Sequence, residues 1–188
     1  MRNPRRRMAA RIPKERPISI QNPIGSHPRL IFVLVFLACA GLIGMGVYMQ
    51  DALGLTPCPM CILQRYAFWA IGVTALAAAL HGPRRWGNKA YAWTILLFAV
   101  LGGGTSIRHS YIQHFPPAFQ SCGTDLEFLV NNFPLAQALP KMFAGSGECS
   151  NVQWTFLGLS IPEWALVWFV IFAVTALLVA RHKRSVFR

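Results

Sequence analysis

Cys58-Pro59-Met60-Cys61 is followed four residues on by Arg65, in a stretch that otherwise stays uncharged to about Leu80. Two cysteines separated by two residues can form a reactive dithiol, a static bridge or half of a zinc site. Proline suits the first helical position because its missing N–H needs no partner there, so Cys58 is expected as the N-cap and Cys61 as the third helical residue. Both sulfurs then lie at the positive end of a helix dipole, where thiolate, the form that attacks disulfides, is favoured. Arg65 is at i+4 from Cys61 and shares its helix face. A guanidinium about 10 Å inside an apolar segment costs on the order of 2.5 to 3.5 kcal/mol on insertion scales, less if it snorkels. On residue chemistry it is either the partner of a thiolate or electron-accepting ligand, or an arginine reaching back to the surface.

A second pair, Cys122 and Cys149, is separated by 27 positions. Zinc would want another closely spaced pair, and no metal is expected here. Taken alone, Cys122 and Cys149 suit a loop staple worth about 3 to 4 kcal/mol in the chain-entropy model, and spacing does not distinguish that from a redox role. Two pairs on one face of a small protein can instead pass a disulfide between them by thiolate attack. The fifth cysteine, Cys39, lies within an apolar run and is expected to be a small buried hydrophobe with an inert thiol.

These residues must be positioned by membrane helices. The 188 residues are 54% hydrophobic and only 13% charged, too apolar for a soluble globule of this size. Leu30 to Met49 gives twenty uncharged residues, long enough for the hydrocarbon core. Ala38-Cys39-Ala40 resembles a small-x-small cleavage site, but the apolar run continues past it and the preceding basic region is too long for a signal peptide. The remaining spans are expected at residues 61–80, closed by Gly82-Pro83-Arg84-Arg85, then 90–107 and 163–180. Gly102-Gly103-Gly104 in the third span permits close helix contact. Ser160-Ile161-Pro162-Glu163 is a capping-box pattern opening the fourth, and Trp154, Trp164 and Trp168 suit an interfacial belt at that end.

Outside the spans, residues 1–29 form a basic, proline-rich tail expected to be disordered. Residues 108–161 make a connection long enough to be functional, with Leu126 to Phe133 and Leu135 to Phe143 expected as short amphipathic surface helices. The expected fold is an all-α integral membrane protein, a four-transmembrane-helix bundle with a long periplasmic loop.

The formal net charge of +12 invites a nucleic-acid partner until the charges are located. Of the 18 Lys and Arg, 15 fall in residues 2–29, 84–89 and 181–188, which four spans place on one side of the membrane. The positive-inside rule makes that side cytoplasmic and turns both cysteine pairs outward, into a compartment where disulfides persist. The basic tail then faces lipid headgroups, with no nucleic acid as partner.

Over roughly Leu30 to Ala180 the chain resembles the disulfide bond formation protein B (DsbB) family of the bacterial inner membrane. The resemblance rests on four spans, the CxxC with Arg65, the His109-x-x-x-Gln113-x-x-Pro116-x-x-Phe119-x-x-Cys122 run and Gly147-Glu148-Cys149. It continues through Gln153-Trp154-x-Phe156-Leu157-Gly158-Leu159 and Pro162-x-Trp164. The basic tail is longer than the family leads one to expect, and Cys39 matches no family motif.

The resemblance implies Cys58–Cys61 and Cys122–Cys149 disulfides. It also implies a relay that reoxidises a periplasmic DsbA-type thiol oxidase and hands the electrons to ubiquinone or menaquinone. A thiolate of the partner would attack at Cys122, and Cys149 would then attack Cys58. Cys61 would remain as a thiolate beside the quinone, with Arg65 stabilising charge there and His109 at a family position near the quinone. DsbA-type disulfides lie near about −120 mV, and every 30 mV uphill costs about 1.4 kcal/mol for two electrons, so net flow needs a strong final acceptor. The alternatives are a related relay serving another thioredoxin-like partner or running reductively, and a non-enzymatic four-helix scaffold with static disulfides. Arg65 within a span and the ordered motifs oppose the scaffold.

Overall fold

The computed structural model describes residues 28–83, 85–116 and 147–181. Residues 1–27, Cys122, and the surface helices expected at 126–133 and 135–143 lie outside these, so the structure does not bear on them. Four helices make the frame: α1 Pro28–Leu53, α2 Pro59–His81, α3 Arg85–His114 and α4 Ile161–Arg181. Each is long and apolar enough to cross a membrane, and together they establish the expected four-helix membrane fold. All four run past the spans expected from the sequence, since a helix continues into the interfacial zone as far as its caps allow.

Those caps are legible locally. Cys58 is the N-cap of α2, in extended backbone, with Pro59 opening the first turn, and its carbonyl accepts the Ile62 N–H at 3.2 Å. At the other end Gly82 adopts a left-handed conformation (φ 52°) and donates its N–H to the Ala78 carbonyl at 3.1 Å, a close that glycine makes without a Cβ penalty. At the head of α4, Glu163 accepts both the Ser160 N–H (2.7 Å) and the Ser160 hydroxyl (3.0 Å). The carboxylate half of the capping box is as expected. The serine hydroxyl donates to Glu163, whereas the full motif has it accept a backbone N–H.

In the bundle α1 packs on α2, α2 on α3 and α3 on α4. Its middle layer is aromatic: Phe68 stacks on Phe169 with centroids 4.2 Å apart and meets Phe172 edge-on at 6.2 Å. Gly102 makes room for this layer, because a Cβ there would fall on the Phe169 ring. Gly103 only reaches ordinary contact with α4 and Gly104 meets nothing, so one glycine of the three carries the close approach. Cys39 is 1% exposed and lies against Gly72 of α2, the buried small hydrophobe expected. The outward faces carry Leu34, Leu37, Leu97, Leu101 and Val170, an apolar coat suited to lipid.

Between the described parts of the long connection and α4 stands a feature the sequence reading did not anticipate. After a 3-10 turn at Gly147–Ser150, strands β1 (Thr155–Phe156) and β2 (Leu159–Ser160) form an antiparallel hairpin pairing Thr155 with Ser160 and Phe156 with Leu159. Both turn residues, Leu157 (φ 54°) and Gly158 (φ 79°), have positive φ, the geometry of a two-residue primed turn.

Candidate functional site

The site is built at one end of the bundle, where the N-terminus of α2 meets the C-terminal half of α3 and the 3-10 turn. Cys58 and Cys61 are three positions apart across the first turn of α2, which brings their sulfurs to 3.4 Å. That is a non-bonded contact, well beyond the roughly 2.05 Å of a disulfide, so the pair stands in its unbonded form here. Cys58 is 4% exposed, and its sulfur also lies 3.6 Å from Nε2 of His109 on α3.

The 3-10 turn delivers Cys149 to the same place. It is fully buried, and its sulfur, the Cys58 sulfur and a His109 ring nitrogen all lie within 4.8 Å of one another. Met60 and Ile112 close an apolar wall around this group. Gln153 ties the following segment to the loop before α2 by donating to the Thr56 carbonyl at 3.2 Å. Thus a residue from the long connection and one from the CxxC motif, distant in sequence, share one buried cluster. Cys122 lies outside the described residues, so its distance to Cys149 is not part of this geometry.

On the other side of Cys61 is a cavity of about 320 Å³ between α1, α2 and the head of α4. Met49, Leu42, Phe68, Trp154, Trp164 and Trp168 give it apolar walls, and Cys61, Gln64 and Arg65 border it from α2. Arg65 is held from α1: Nη1 donates to Gln50 Oε1 at 2.8 Å and Nη2 to the Gly46 carbonyl at 2.9 Å. A Cβ on Gly46 would come within 3.3 Å of Arg65 Nε, so the glycine leaves the guanidinium its place.

Cys61 also borders a second, much smaller cavity with Cys58, His109, Gln113 and Gln153. It therefore stands between a polar thiol compartment and an apolar compartment large enough for a ring-sized ligand.

The structure brings Cys58, Cys61, Cys149, Arg65 and His109 to this end of the bundle. His109 meets the Cys58 sulfur and is not among the residues bordering the apolar cavity. The three tryptophans expected as an interfacial belt do more than mark an interface: they wall the cavity, and Trp164 Nε1 donates to the Phe156 carbonyl at 3.0 Å. Sequence reading passed over Gly46 and Gln50, whose part depends on which face of α1 meets α2. It also passed over Gln64, an uncharged polar residue in a run read only for its charges.

A family model described as "Disulfide bond formation protein DsbB" matches residues 28–179. A "Disulfide bond formation protein B" of Aromatoleum aromaticum is 55% identical over 157 residues, covering 84% of this chain and 95% of the relative. Its namesake from Azoarcus sp. (strain BH72) is 48% identical over 149 residues, covering 79% of this chain and 90% of the relative. A third, from Nitrosomonas eutropha, is 43% identical over 155 residues, covering 82% and 96%. With a family match across all four helices and relatives of this identity, the chain belongs to the disulfide bond formation protein B (DsbB) family.

Proposed function

We propose that the protein is a membrane thiol oxidoreductase that reoxidises a DsbA-type dithiol oxidase by a disulfide relay and passes the electrons to a quinone. This supports disulfide formation in exported proteins. The observation that carries it is the position of Cys61, which borders both the thiol compartment with Cys58 and His109 and the apolar cavity with Arg65. The relatives' name, disulfide bond formation protein B, supports the same chemistry.

In the proposed relay a thiolate of the reduced partner attacks the Cys122–Cys149 disulfide and is joined to Cys122. Cys149, released as thiolate, attacks Cys58 of the oxidised Cys58–Cys61 pair, and Cys61 leaves as thiolate. The partner's second thiolate then attacks the partner sulfur bonded to Cys122, so the partner leaves oxidised. The freed Cys122 attacks Cys149 to restore the loop disulfide and release Cys58, which leaves the Cys58–Cys61 pair reduced. The clustering of Cys149, Cys58 and His109 within 4.8 Å supports the transfer from Cys149 to Cys58, because the attacking sulfur already stands near its target. His109, 3.6 Å from the Cys58 sulfur, is suited to hold a proton on the thiol side.

The residues present fit a quinone. Its ring needs apolar walls and its two carbonyl oxygens need donors. The cavity offers aromatic and aliphatic walls, while Arg65 keeps N–H groups beyond the two engaged with Gln50 and Gly46. Bound there, a quinone supplies a two-electron acceptor that exchanges with the membrane pool. Arg65 borders the same cavity as Cys61 and supplies positive charge where negative charge would develop on a bound quinone.

That 15 of the 18 Lys and Arg fall in the sequence segments before α1, between α2 and α3 and at the end of α4 supports cytoplasmic termini and a periplasmic cysteine end in the inner membrane. The deciding experiment is anaerobic: purified protein, a quinone and reduced DsbA-type partner are mixed and quinol formation is followed. Wild type is expected to produce quinol and Cys61→Ser to produce none. No quinol from wild type, or an unchanged rate in Cys61→Ser, refutes the relay.

A further inference from the structure

Among the described residues, four buried side-chain polar atoms have no hydrogen-bond partner: Gln64 Nε2, Ser106 Oγ, His109 Nδ1 and Gln113 Oε1. In a membrane bundle each such atom is costly, and an unpaired buried group calls for a specific partner such as bound water. Their placement is not scattered. Ser106, His109 and Gln113 are at i, i+3 and i+7 of α3, one stripe of that helix rising about 10 Å along its axis.

Gln64, on α2, lies level with the inner end of this stripe. The two helices are antiparallel, and their register is fixed at two levels. Towards the cysteine end Met60 and Ile112 belong to one buried cluster. In the middle layer Phe68 stacks on Phe169, which lies against Gly102. One helical turn outward from that layer is Gln64 on α2 and Ser106 on α3. Both are almost wholly buried, at 3% and 0% exposed. The polar stripe therefore begins at the thiol compartment, where Gln113 and His109 border the small cavity with Cys58, and ends level with Gln64, which borders the apolar cavity. Below it the Phe68–Phe169–Phe172 layer closes the bundle.

We propose that Gln113, His109, Ser106 and Gln64 hold a short file of internal water that carries protons from the thiol compartment to the apolar cavity. The proposal rests on the quinone-linked relay proposed above and supplies its missing half. When the Cys58–Cys61 disulfide re-forms, one S–S bond is made and two electrons and two protons leave the dithiol. Reducing a quinone to a quinol consumes two electrons and two protons. The electrons leave through the Cys61 sulfur. The protons pass from the Cys58 side to His109 Nε2, out from Nδ1 to water beside Ser106 and Gln64, and so to the quinone oxygens. His109 and the hydroxyl move protons, and the two amides orient the water. The aromatic layer makes the file blind at its inner end, so protons reach the cavity without a path across the membrane.

The first test needs no turnover: ¹⁵N-histidine-labelled protein in nanodiscs is examined for magnetisation exchange between bulk water and the His109 ring, assigned with His109→Asn. Exchange at Nδ1 is expected, and its absence overturns the file of water. The second compares Ser106→Ala, Gln64→Leu and the conservative Ser106→Thr.

The first two variants are expected to slow quinol formation about tenfold or more, the scale of a lost proton-transfer step, and to raise the solvent deuterium isotope effect. Thiol exchange with reduced partner is expected to stay within about twofold of wild type in both, since no thiol is altered, and quinone affinity is expected to do so in Ser106→Ala, whose side chain is not among those bordering the apolar cavity. Ser106→Thr is expected to restore the rate. Wild-type rates in a Ser106→Ala/Gln64→Leu double variant overturn the proposal, as does a loss confined to quinone affinity. A wild type that makes no quinol refutes the relay itself, while the water contact at the ring still decides whether the file exists.

Discussion

Arg65 Nη2 donates to the carbonyl oxygen of Gly46 at 2.9 Å, so the cation beside Cys61 is fixed by the backbone of a different helix. With Nη1 bound to Gln50, the guanidinium spans two α1 acceptors in a planar fork. A lysine at this position keeps the charge but cannot make both contacts in that geometry. Arg65→Lys is expected to raise the quinone concentration for half-maximal quinol formation by about tenfold, the effect of losing roughly 1.4 kcal/mol of binding. Attack by the reduced partner at Cys122 is expected to proceed as in wild type. Quinol formation measured against quinone concentration, with trapping of the partner adduct, checks both. An unchanged quinone dependence would show that α1 does not position this cation for the ligand.

Gly46→Ala is a gentler probe of the same contact. The added methyl would lie 3.3 Å from Arg65 Nε, so the guanidinium must give by a few tenths of an ångström. The expected change has the same sign as in Arg65→Lys and is smaller, about twofold to threefold in the quinone dependence, corresponding to roughly 0.5 kcal/mol. Gly41→Ala is the control, because a Cβ there meets nothing within 4 Å.

Gly102→Ala tests the aromatic layer. Its Cβ would fall on the Phe169 ring, which is itself stacked on Phe68, so the ring cannot retreat without breaking that stack. Overpacking of this kind costs about 1 to 3 kcal/mol. A lowered thermal midpoint in detergent is expected, with substantial recovery when Phe169→Leu is added to make room. If the double variant is no more stable than the single one, the glycine serves another purpose.

Much of this molecule is legible in its sequence because the membrane simplifies the problem. Uncharged runs such as Leu30 to Met49 admit few structures other than a spanning helix, and Cys58-Pro59 announces both a cap and a helix start. The positions of Cys58, Cys61 and Arg65 on one helix face follow from helical spacing alone. What stayed illegible depends on contacts between helices: which α1 residues would meet Arg65, that His109 would face the Cys58 sulfur, and that Gln64 would lie level with Ser106. The hairpin escaped notice because Leu157 has none of the turn preference of glycine or asparagine, yet takes a left-handed φ of 54°.

The closeness of Cys149 to Cys58 gives a prediction that needs neither partner nor quinone. Their sulfurs belong to a cluster within 4.8 Å, and a disulfide requires about 2.05 Å, so the gap can be closed by side-chain rotation with a small shift of the 3-10 turn. In wild type each of these cysteines has a competing partner in the proposed relay. A Cys61→Ser/Cys122→Ser variant removes both competitors and leaves Cys58, Cys149 and Cys39 as its cysteines. Mild oxidation is expected to form an intramolecular Cys58–Cys149 bond, identified by mass spectrometry of the cross-linked peptides. Cys39 is expected to remain a thiol, since it is buried against Gly72 in the apolar core, in a different cluster from Cys58 and Cys149. If oxidation gives only intermolecular dimers, or joins Cys39 to either residue, the transfer of a disulfide from the loop to the CxxC pair does not follow the geometry described here.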